Sequence, residues 1–398
     1  MLILEYKLRI NQRQCAAIEV AMRTTQFVRS KALRLWMDGQ GVGQTDLQSL
    51  CSQLANDFSF AARLNSMARQ AAADRAWQAI ARFYANCKSG KSGKKGYPCF
   101  QHDNRSVEYK TSGWRLEADG QHITFTDGHG IGTLRLIGTR SIATFPVAHI
   151  QRVRLLKRAD GYHVQFVVQA DRQAPHAPTG SQVGIDMGLK SFYTDSDGGA
   201  APNPRFLRKA ETKLKRLHRR VSVKKNGSAN RKKAIKRLAK AHLKVSRQRQ
   251  DVAAKTARTL IVSHDLIAYE DLQIRHMVHN HHLAKLISDA AWGRFLSWLR
   301  YYGQIASVPV IAVPPAFTTQ DCYGCGERVW KSLSVRTHVC PRCGVVLDRD
   351  QNAALNILAL ALTRTAGQAE TGSLRVANAS GQGTSGKGKR LPSVKLAG

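Results

Sequence analysis

The sequence predicts an α+β protein with more than one domain, and three observations support this prediction. Short runs of alternating apolar and polar residues, typical of strands, occur at 2–10 and within 106–171, and a stretch of helical periodicity at 12–86 separates them. Beyond 183, strand-like apolar runs alternate with helical segments. The chain has 398 residues. Because a domain holds about 100–200 residues, two or three domains are expected.

The first half of the chain is predicted to be a β-rich module that surrounds a helical insertion. A basic, glycine-rich break at 88–98 ends the helical stretch. Asp160-Gly161, between two alternating runs, is a strong hairpin signal. We expect strand 2–10 to join the sheet formed by 106–171. Residues 174–181 have the composition of a linker.

The second half is predicted to contain buried strands, long helices and a tail. The expected strands are 183–189, 266–272 and 308–315. The expected helical segments are 204–262, with a break near Asn226-Gly227, then 288–306 and 351–362. From 364 to 398, Gly, Ser, Thr and Lys dominate without apolar periodicity, which predicts a disordered tail.

The charge of the chain limits its possible partners. Lys and Arg number 62 and Asp and Glu number 27, a formal net charge of +35. Such a field is rare in a metabolic enzyme, because self-repulsion opposes the compact state unless a polyanion neutralises it. Nucleic acid is therefore the expected partner, ahead of an anionic membrane. The chain lacks a run of about 18 apolar residues and a signal-peptide pattern at its start, so we expect a cytoplasmic protein that does not enter the membrane.

The positive charge is concentrated in one segment. Between Arg205 and Arg258, 21 residues are Lys or Arg, against the two acids Glu211 and Asp251. One interpretation is a solvated helix face. The imbalance favours the other interpretation, a wall that holds a nucleic-acid duplex by its backbone.

Four of the eight cysteines form two pairs. Cys322-x2-Cys325 and Cys340-x2-Cys343 are separated by fourteen residues, and a glycine follows each pair. This spacing predicts a tetrahedral zinc site with four thiolate ligands, against the alternative of two coincidental motifs. Because thiolates fill all four positions, the zinc would be structural.

Carboxylates are scarce, so those at the ends of apolar strands stand out. Asp186 lies in VGIDMGL, Glu270 closes LIAYE, and Asp348 and Asp350 precede the last apolar helix. A single acid of this kind is usually a solvated cap. Several converging acids would repel one another unless cations hold them, and hard oxygen ligands select Mg²⁺ or Mn²⁺. Two such ions about 3.5–4 Å apart could activate a water and stabilise the leaving oxygen of a phosphodiester.

Helical periodicity separates the two final aspartates. Asp350 lies in line with the apolar face of the following helix, whereas Asp348 would point about 200° away on a continued helix. We therefore predict that Asp350 points toward Asp186 and Glu270, and that Asp348 accepts backbone N–H groups at the helix start. The apolar face comprises Ala353, Ala354, Ile357, Leu358 and Ala361.

Five motifs together resemble one protein family. The motifs are GIDMGLK, IAYEDL, VPPAFTTQDCYGCG, HVCPRCG and DRDQNAALNI. They are similar to the C-terminal half of the transposon-encoded TnpB (OrfB) family, RNA-guided DNA endonucleases related to type V CRISPR effectors. The similarity covers about 180–362 strongly and the N-terminal half more loosely.

The resemblance implies catalytic, Mg²⁺-binding residues at Asp186, Glu270 and Asp350, with Zn²⁺ on Cys322, Cys325, Cys340 and Cys343. It also implies a guide RNA from the transposon end and a double-stranded DNA target beside a short motif. The implied domains are a split β-barrel wedge (1–11 and 100–175), a helical recognition domain (12–99), a split RuvC-like nuclease domain of RNase H-like fold (181–317 and 346–363) and a zinc ribbon (318–345), followed by the tail (364–398).

Three functions remain open from the sequence. The first is an RNA-guided, Mg²⁺-dependent DNA endonuclease of a transposable element. The second is a non-catalytic RNA- or DNA-binding regulator on the same scaffold, against which the three retained acids argue. The third is an unguided, structure-specific RuvC-like nuclease, against which the long N-terminal half and the basic excess argue.

Overall fold

The computed structural model describes residues 1–90, 92–174, 176–332 and 334–370, with the backbone alone at 366–370. Internal contacts divide the chain into two units. The first unit comprises Met1–Ala174 and Phe206–Asp251, and the second comprises Pro175–Arg205 and Val252–Gly398. The five-part domain division expected from the sequence is finer than this division and stays a prediction.

The first unit is built on one antiparallel sheet of seven strands. The sheet is curled into a half-barrel, and β2 and β3 form its edges among the described residues, in the order β2-β6-β7-β1-β5-β4-β3. Its strands are β1 (Leu2–Arg9), β2 (Ser106–Tyr109), β3 (Trp114–Leu116), β4 (His122–Phe125), β5 (Gly132–Ile137), β6 (Ile150–Arg158) and β7 (Gly161–Val168). Two short 3-10 turns, Ile142–Thr144 and Val147–His149, precede β6.

Strand β1 occupies the middle of this sheet, as its sequence predicts. It pairs with β5 on one side and β7 on the other. Its even-numbered side chains are buried and its odd-numbered ones are exposed, so the alternation places one face on the core. The predicted hairpin at Asp160-Gly161 joins β6 to β7, with Arg158 opposite Gly161.

The helical insertion between β1 and β2 is confirmed. It comprises α1 (Gln12–Asp38), α2 (Gln44–Asp57), α3 (Ser59–Ala62) and α4 (Ser66–Lys88). Asn11 caps α1, since its side chain accepts a hydrogen bond from the Gln14 N–H at 2.9 Å. The apolar faces of α1, α2 and α4 pack into a core of their own, which contains Leu33, Leu47 and Ile80.

The basic segment folds as two helices. They are α5 (Phe206–Ser222) and α6 (Ala229–Ser263), and the break between them includes Gly227, whose φ is +78°. The predicted interruption near Asn226-Gly227 is therefore confirmed. In α5 the buried residues are Leu214 and Leu217, which leaves the charged face outward.

The second unit contains a mixed sheet of five strands in the order β10-β9-β8-β11-β12. Strands β8, β11 and β12 are parallel, and β9 and β10 continue antiparallel from β8. Its strands are β8 (Gln182–Asp186), β9 (Ser191–Asp195), β10 (Ala200–Pro202), β11 (Leu266–Glu270) and β12 (Val310–Val313).

Helices cover both faces of this sheet. The C-terminal part of α6 and two of the later helices share a core with Ile267 and Tyr269, whereas the last helix packs against Leu266 and Ala268 on the opposite face. The remaining elements are α7 (Ile274–Met277), α8 (His281–Ala290), α9 (Trp292–Ala306), a hairpin of β13 (Thr337–Val339) and β14 (Val346–Asp348), and α10 (Arg349–Glu370).

Helix α10 is longer than the sequence predicts. It continues to Glu370, past position 364 where the tail is expected to begin. The Ala and Thr residues that follow Leu362 carry no apolar stripe, yet they extend a helix that is already nucleated. Residues 371–398 of the expected tail lie outside the described residues. In the described part of the chain, no helix combines the length and the apolar character that crossing a membrane requires.

Candidate functional site

Asp186 and Glu270 lie side by side at the ends of neighbouring parallel strands. In the register of β8 and β11, Ile185 is paired with Tyr269, so each acid is the next residue on its strand. The strands are apolar because they are covered on both faces, and each acid comes where its strand ends. This edge of a parallel sheet is where ligand and active sites are usually found.

Burial disfavours the charged forms of both acids, and repulsion by neighbouring acids adds to this at Asp186. Loss of solvent, followed by the charges of Glu270 and Asp350, raises the pKa of Asp186 to about 8. Burial also raises the pKa of Glu270, which is 7% exposed, although a hydrogen bond donated by the Thr318 hydroxyl opposes this. Like charges gathered in a low-dielectric site shift pKa values in this direction. The pair therefore favours a bound cation.

Asp350 lies in the first turn of α10 and is held by two guanidinium groups. Arg349 Nη2 is 2.8 Å from Asp350 Oδ1, and Arg336 Nη1 is 3.2 Å from Asp350 Oδ2. Arg349 also acts on Asp186 by lowering its pKa. Sequence reasoning missed both arginines, although the charged triplet Asp348-Arg349-Asp350 was a signal for the first of them.

Asp348 has the capping role that the sequence predicts for it. Its Oδ1 accepts hydrogen bonds from the backbone N–H of Asp350 at 2.8 Å and of Gln351 at 3.4 Å. These are two of the N–H groups that a helix start leaves without an intrahelical partner.

The predicted apolar face of α10 packs on the sheet. Ala353, Ala354, Ile357 and Ala361 are fully buried, and Leu358 packs against the same core. The approach is close at Gly184, where an added Cβ would lie 2.1 Å from the carbonyl oxygen of Ala354. Glycine at this position therefore allows the helix that carries Asp350 to lie against the strand that carries Asp186.

The chemistry of the three acids fits a hard divalent cation. Carboxylate oxygens are the ligands that Mg²⁺ and Mn²⁺ prefer, and the pKa of Asp186 is raised even though the positive charge of Arg349 opposes the rise. The three acids are less compact than a formed metal site. Among the described residues, the four cysteines are the one group of at least three possible metal ligands whose ligand atoms all lie within 4.8 Å.

The four cysteines converge as predicted. Sγ of Cys322 is 3.6 Å from Sγ of Cys343, and Sγ of Cys325 is 3.5 Å from Sγ of Cys340. Four sulfurs about 2.3 Å from a tetrahedral Zn²⁺ would lie at nearly such separations from one another. The donor set therefore indicates zinc.

The two cysteine turns have matching backbone hydrogen bonds. The N–H of Gly326 donates to the Cys322 carbonyl at 2.8 Å, and the N–H of Gly344 donates to the Cys340 carbonyl at 3.0 Å. Both glycines have positive φ, +74° and +75°, which side chains disfavour. This explains the glycine that follows each Cys pair in the sequence.

Two asparagines attach the first cysteine turn to α10. Asn352 accepts from the Tyr323 N–H at 3.0 Å and donates to the Asp321 carbonyl at 2.8 Å. Asn356, one helical turn later, donates to the carbonyls of Thr318 and Asp321 at 2.8 and 2.7 Å. Sequence reasoning missed both, although asparagines spaced i, i+4 in an apolar helix were a usable signal, because Asn is a poor helix former.

Together these features define an α+β protein with a candidate carboxylate metal site at the edge of a mixed sheet and a four-cysteine metal site in turns that are attached to α10. Comparison with known families agrees with this class. Residues 165–281 match the OrfB_IS605 family, described as "Probable transposase", and residues 292–357 match the Cas12f1-like TNB domain. These matches confirm the resemblance to the TnpB (OrfB) family.

Several known proteins resemble the chain. One from Streptomyces pristinaespiralis, named "Putative RNA-guided DNA endonuclease", is 36% identical over 211 residues, which is 52% of this chain and 52% of that protein. The chain thus spans about half the length of this relative. "Putative RNA-guided DNA endonuclease InsQ" of Escherichia coli (strain K12) is 27% identical, over 67% of this chain and 69% of that one. "TnpB-like protein L79" of Acanthamoeba polyphaga mimivirus is 27% identical, over 45% and 37%.

Solved structures resemble the chain more weakly. A Cas12f1–sgRNA–target DNA complex covers 90% of this chain and 99% of its own, with 13% identity and a TM-score of 0.35. The mini-RNA-guided endonuclease CRISPR-Cas_phi3 covers 61% and 57%, with 11% identity and a TM-score of 0.40. Because both scores are below 0.5, the family relation rests on the sequence matches.

Proposed function

We propose that this chain is an RNA-guided, Mg²⁺-dependent DNA endonuclease of a transposable element. The observation that carries the proposal is the pair Asp186 and Glu270 at the ends of adjacent parallel strands, where loss of solvent and then the charges of Glu270 and Asp350 raise the pKa of Asp186 to about 8. The family matches and the names of the relatives support the same activity.

The second unit supports the proposal through its topology. The order β10-β9-β8-β11-β12, with three antiparallel strands followed by parallel β11 and β12, is the order expected of an RNase H-like, RuvC-type nuclease. The proposed domain is 181–317 with 346–363, and the proposed zinc ribbon is 318–345. In the first unit, the half-barrel and the four-helix insertion are the proposed wedge and recognition domains.

Each acid has a proposed task. Asp186 and Glu270 would hold Mg²⁺ (or Mn²⁺) at the sheet edge, and Asp350 would contribute a further carboxylate from the start of α10. The Thr318 hydroxyl orients the Glu270 carboxylate through its hydrogen bond. Bound as a pair, the cations would supply an activated water and stabilise the leaving oxygen of a phosphodiester. Without a bound metal ion, the guanidiniums of Arg336 and Arg349 balance the negative charge of Asp350.

The basic helices have a proposed role in holding the guide and its target. With 21 Lys or Arg and two acids between Arg205 and Arg258, the segment can neutralise the backbones of an RNA–DNA duplex without reading its sequence. The guide would be an RNA from the transposon end. The target would be double-stranded DNA beside a short motif.

In the decisive experiment, the RNA that co-purifies with the protein is sequenced. The protein with this RNA as guide is then tested for cleavage of duplex DNA. We expect a discrete RNA species, and Mg²⁺-dependent cutting of duplex DNA that matches the guide and carries a permissive motif. Protein stripped of RNA should not cut at a defined site. Site-specific cutting by the RNA-free protein would support an unguided nuclease, and guide-dependent binding without cleavage in Mg²⁺ or Mn²⁺ would support a regulator.

A further inference from the structure

Three arginines of the first unit form ion pairs with Glu108. This group is far in sequence from the carboxylate site. Glu108 lies on β2, flanked by the core residues Val107 and Tyr109, and its own side chain is on the opposite face and only 5% exposed. Arg152 and Arg154 of the neighbouring strand β6 share that face, because they alternate with the buried Val153.

The three guanidiniums converge on one carboxylate. Arg152 Nη1 is 2.6 Å from Glu108 Oε1, and Arg154 Nε is 2.5 Å from Oε2. Arg75 reaches down from α4, 3.5 Å from the same Oε2, and donates to the Ser106 hydroxyl at 2.9 Å. The Coulomb attraction of these cations lowers the pKa of Glu108 despite its burial, so the carboxylate is ionised at neutral pH and the group carries a net charge of about +2.

A fourth arginine adds to this excess. Arg29 of α1 is close enough to Arg75 for the two to repel, and its Nη1 is buried without a hydrogen-bond partner among the described residues. Asp74, the residue that precedes Arg75 in the sequence, pairs with Lys110 at 2.9 Å and accepts hydrogen bonds from the side chains of Gln44 and Gln48. It therefore does not neutralise the arginines.

We propose that the arginine cluster, Arg29, Arg75, Arg152 and Arg154 around Glu108, is a binding site for the phosphodiester backbone of a nucleic acid. Arginine presents about five N–H donors in a planar fork that matches phosphate oxygens. Within the described ranges, the side chains of Arg152 and Arg154 each donate one hydrogen bond, and they are 41% and 30% exposed. Most of their donors thus remain for an anion. The salt bridges to Glu108 orient the guanidinium groups before a phosphate binds, which lowers the entropic cost of binding it.

The site binds phosphate and not bases. Its cationic groups are the guanidiniums of one strand, β6, and of two helices, α1 and α4, and backbone contacts of this kind position a strand without reading its sequence. The proposal deepens the proposed function, on which it rests, by assigning a specific backbone contact to the half-barrel and not to the basic helices.

The test compares two arginines of the same strand. Arg152→Gln removes a cluster member, and Arg158→Gln removes an equal charge that already pairs with Glu5 through Nε at 2.7 Å. Binding of labelled single-stranded RNA, single-stranded DNA and duplex DNA is measured in EDTA across a salt series, with circular dichroism to verify folding. In at least one of these arms, Arg152→Gln should flatten the log–log salt slope by about 0.7–0.9, while Arg158→Gln should change it by less than half as much. The arm with the largest difference identifies the strand.

Equal slopes for the two variants in every arm would overturn the proposal while leaving the proposed function intact. No binding by the wild-type protein in any arm would contradict both. A second variant, Glu108→Gln, tests the proposal even if Arg152→Gln does not fold. In Glu108→Gln the arginines repel unopposed, so the melting temperature should fall without nucleic acid and rise more than that of wild type when it is added. An equal or smaller rise would also contradict the proposal.

Discussion

The backbone N–H of Asp350 donates a hydrogen bond to Asp348 Oδ1 at 2.8 Å, so the first acid supports the helix start on which the second is displayed. The two aspartates are two residues apart and have different contacts. The carboxylate of Asp348 is engaged with backbone groups, whereas that of Asp350 contacts the guanidiniums of Arg336 and Arg349.

This relationship predicts opposite outcomes for two similar substitutions. Asp350→Ala should abolish cleavage while guide-dependent DNA binding persists, because a metal ligand is lost. Asp348→Ala should cost about 1 kcal/mol of stability, as for a lost cap, and keep most activity. Cleavage and filter-binding assays on both variants decide the assignment, which would be reversed by an active Asp350 variant beside an inactive Asp348 variant.

Asp186 should destabilise the metal-free protein in a pH-dependent way. Its folded pKa of about 8 lies above the ordinary value of about 3.9, so charging the acid opposes folding from about pH 4 upward, and the loss is complete only above about pH 8. In EDTA, Asp186→Asn should therefore melt at a higher temperature than wild type, by a margin that grows from pH 5 to pH 8.

Thermal melts at four or five pH values test this prediction, with Asp46→Asn as the control. Asp46 caps α2 in the first unit, where it accepts from the Gly43 N–H at 2.8 Å. Its variant should melt no higher than wild type at any pH. The difference in melting temperature between Asp186→Asn and wild type should grow as the pH rises. A difference that stays constant or shrinks would contradict the burial and repulsion assigned to Asp186.

The cysteine cluster should bind one Zn²⁺ per chain. Cys340→Ser, which removes a buried thiolate, should lower the zinc content and unfold the segment around both turns, since metal binding and folding are coupled at such sites. Elemental analysis and limited proteolysis measure both effects. Cys99→Ser provides the control, because Cys99 is exposed and outside the cluster. Full zinc content in Cys340→Ser would refute the four-thiolate site.

Gly184 should tolerate no side chain. Its Cβ would meet the backbone of α10 at Ala354 and Leu358, and overpacking of this kind costs about 1–3 kcal/mol or more. Gly184→Ala should thus lower the melting temperature and reduce cleavage by displacing Asp350 from Asp186. Gly293→Ala is the matched control, because the nearest atom to its Cβ is 3.9 Å away and its position is helical. Equal effects of the two variants would contradict the close approach.

Local patterns in the sequence were sufficient for much of the fold and for part of the site. The alternation in β1, the hairpin at Asp160-Gly161, the apolar face of α10 and the paired cysteines each depend on neighbours within a few residues, and each is confirmed. The capping role of Asp348 followed from the same periodicity.

What could not be predicted depends on contacts between distant segments. Arg336 reaches Asp350 across fourteen residues, and Glu108 meets Arg154 across forty-six. A charged residue in the sequence does not reveal its ion-pair partner. The contacts around Asp350 and around Glu108 could therefore not be predicted from the sequence. The helix end at Glu370 was also missed, because composition alone does not show how far an established helix propagates.

The hydrogen bonds of Asn352 and Asn356 to the first cysteine turn have a practical consequence for attempts to shorten this protein. The exposed residues of the cysteine segment make it an obvious part to delete. Yet the helix that would remain carries Asp350 in its first turn and loses four hydrogen bonds within its first two turns. A miniaturised version would need substitutes for these two asparagines, chosen to suit whatever linker replaces the deleted segment.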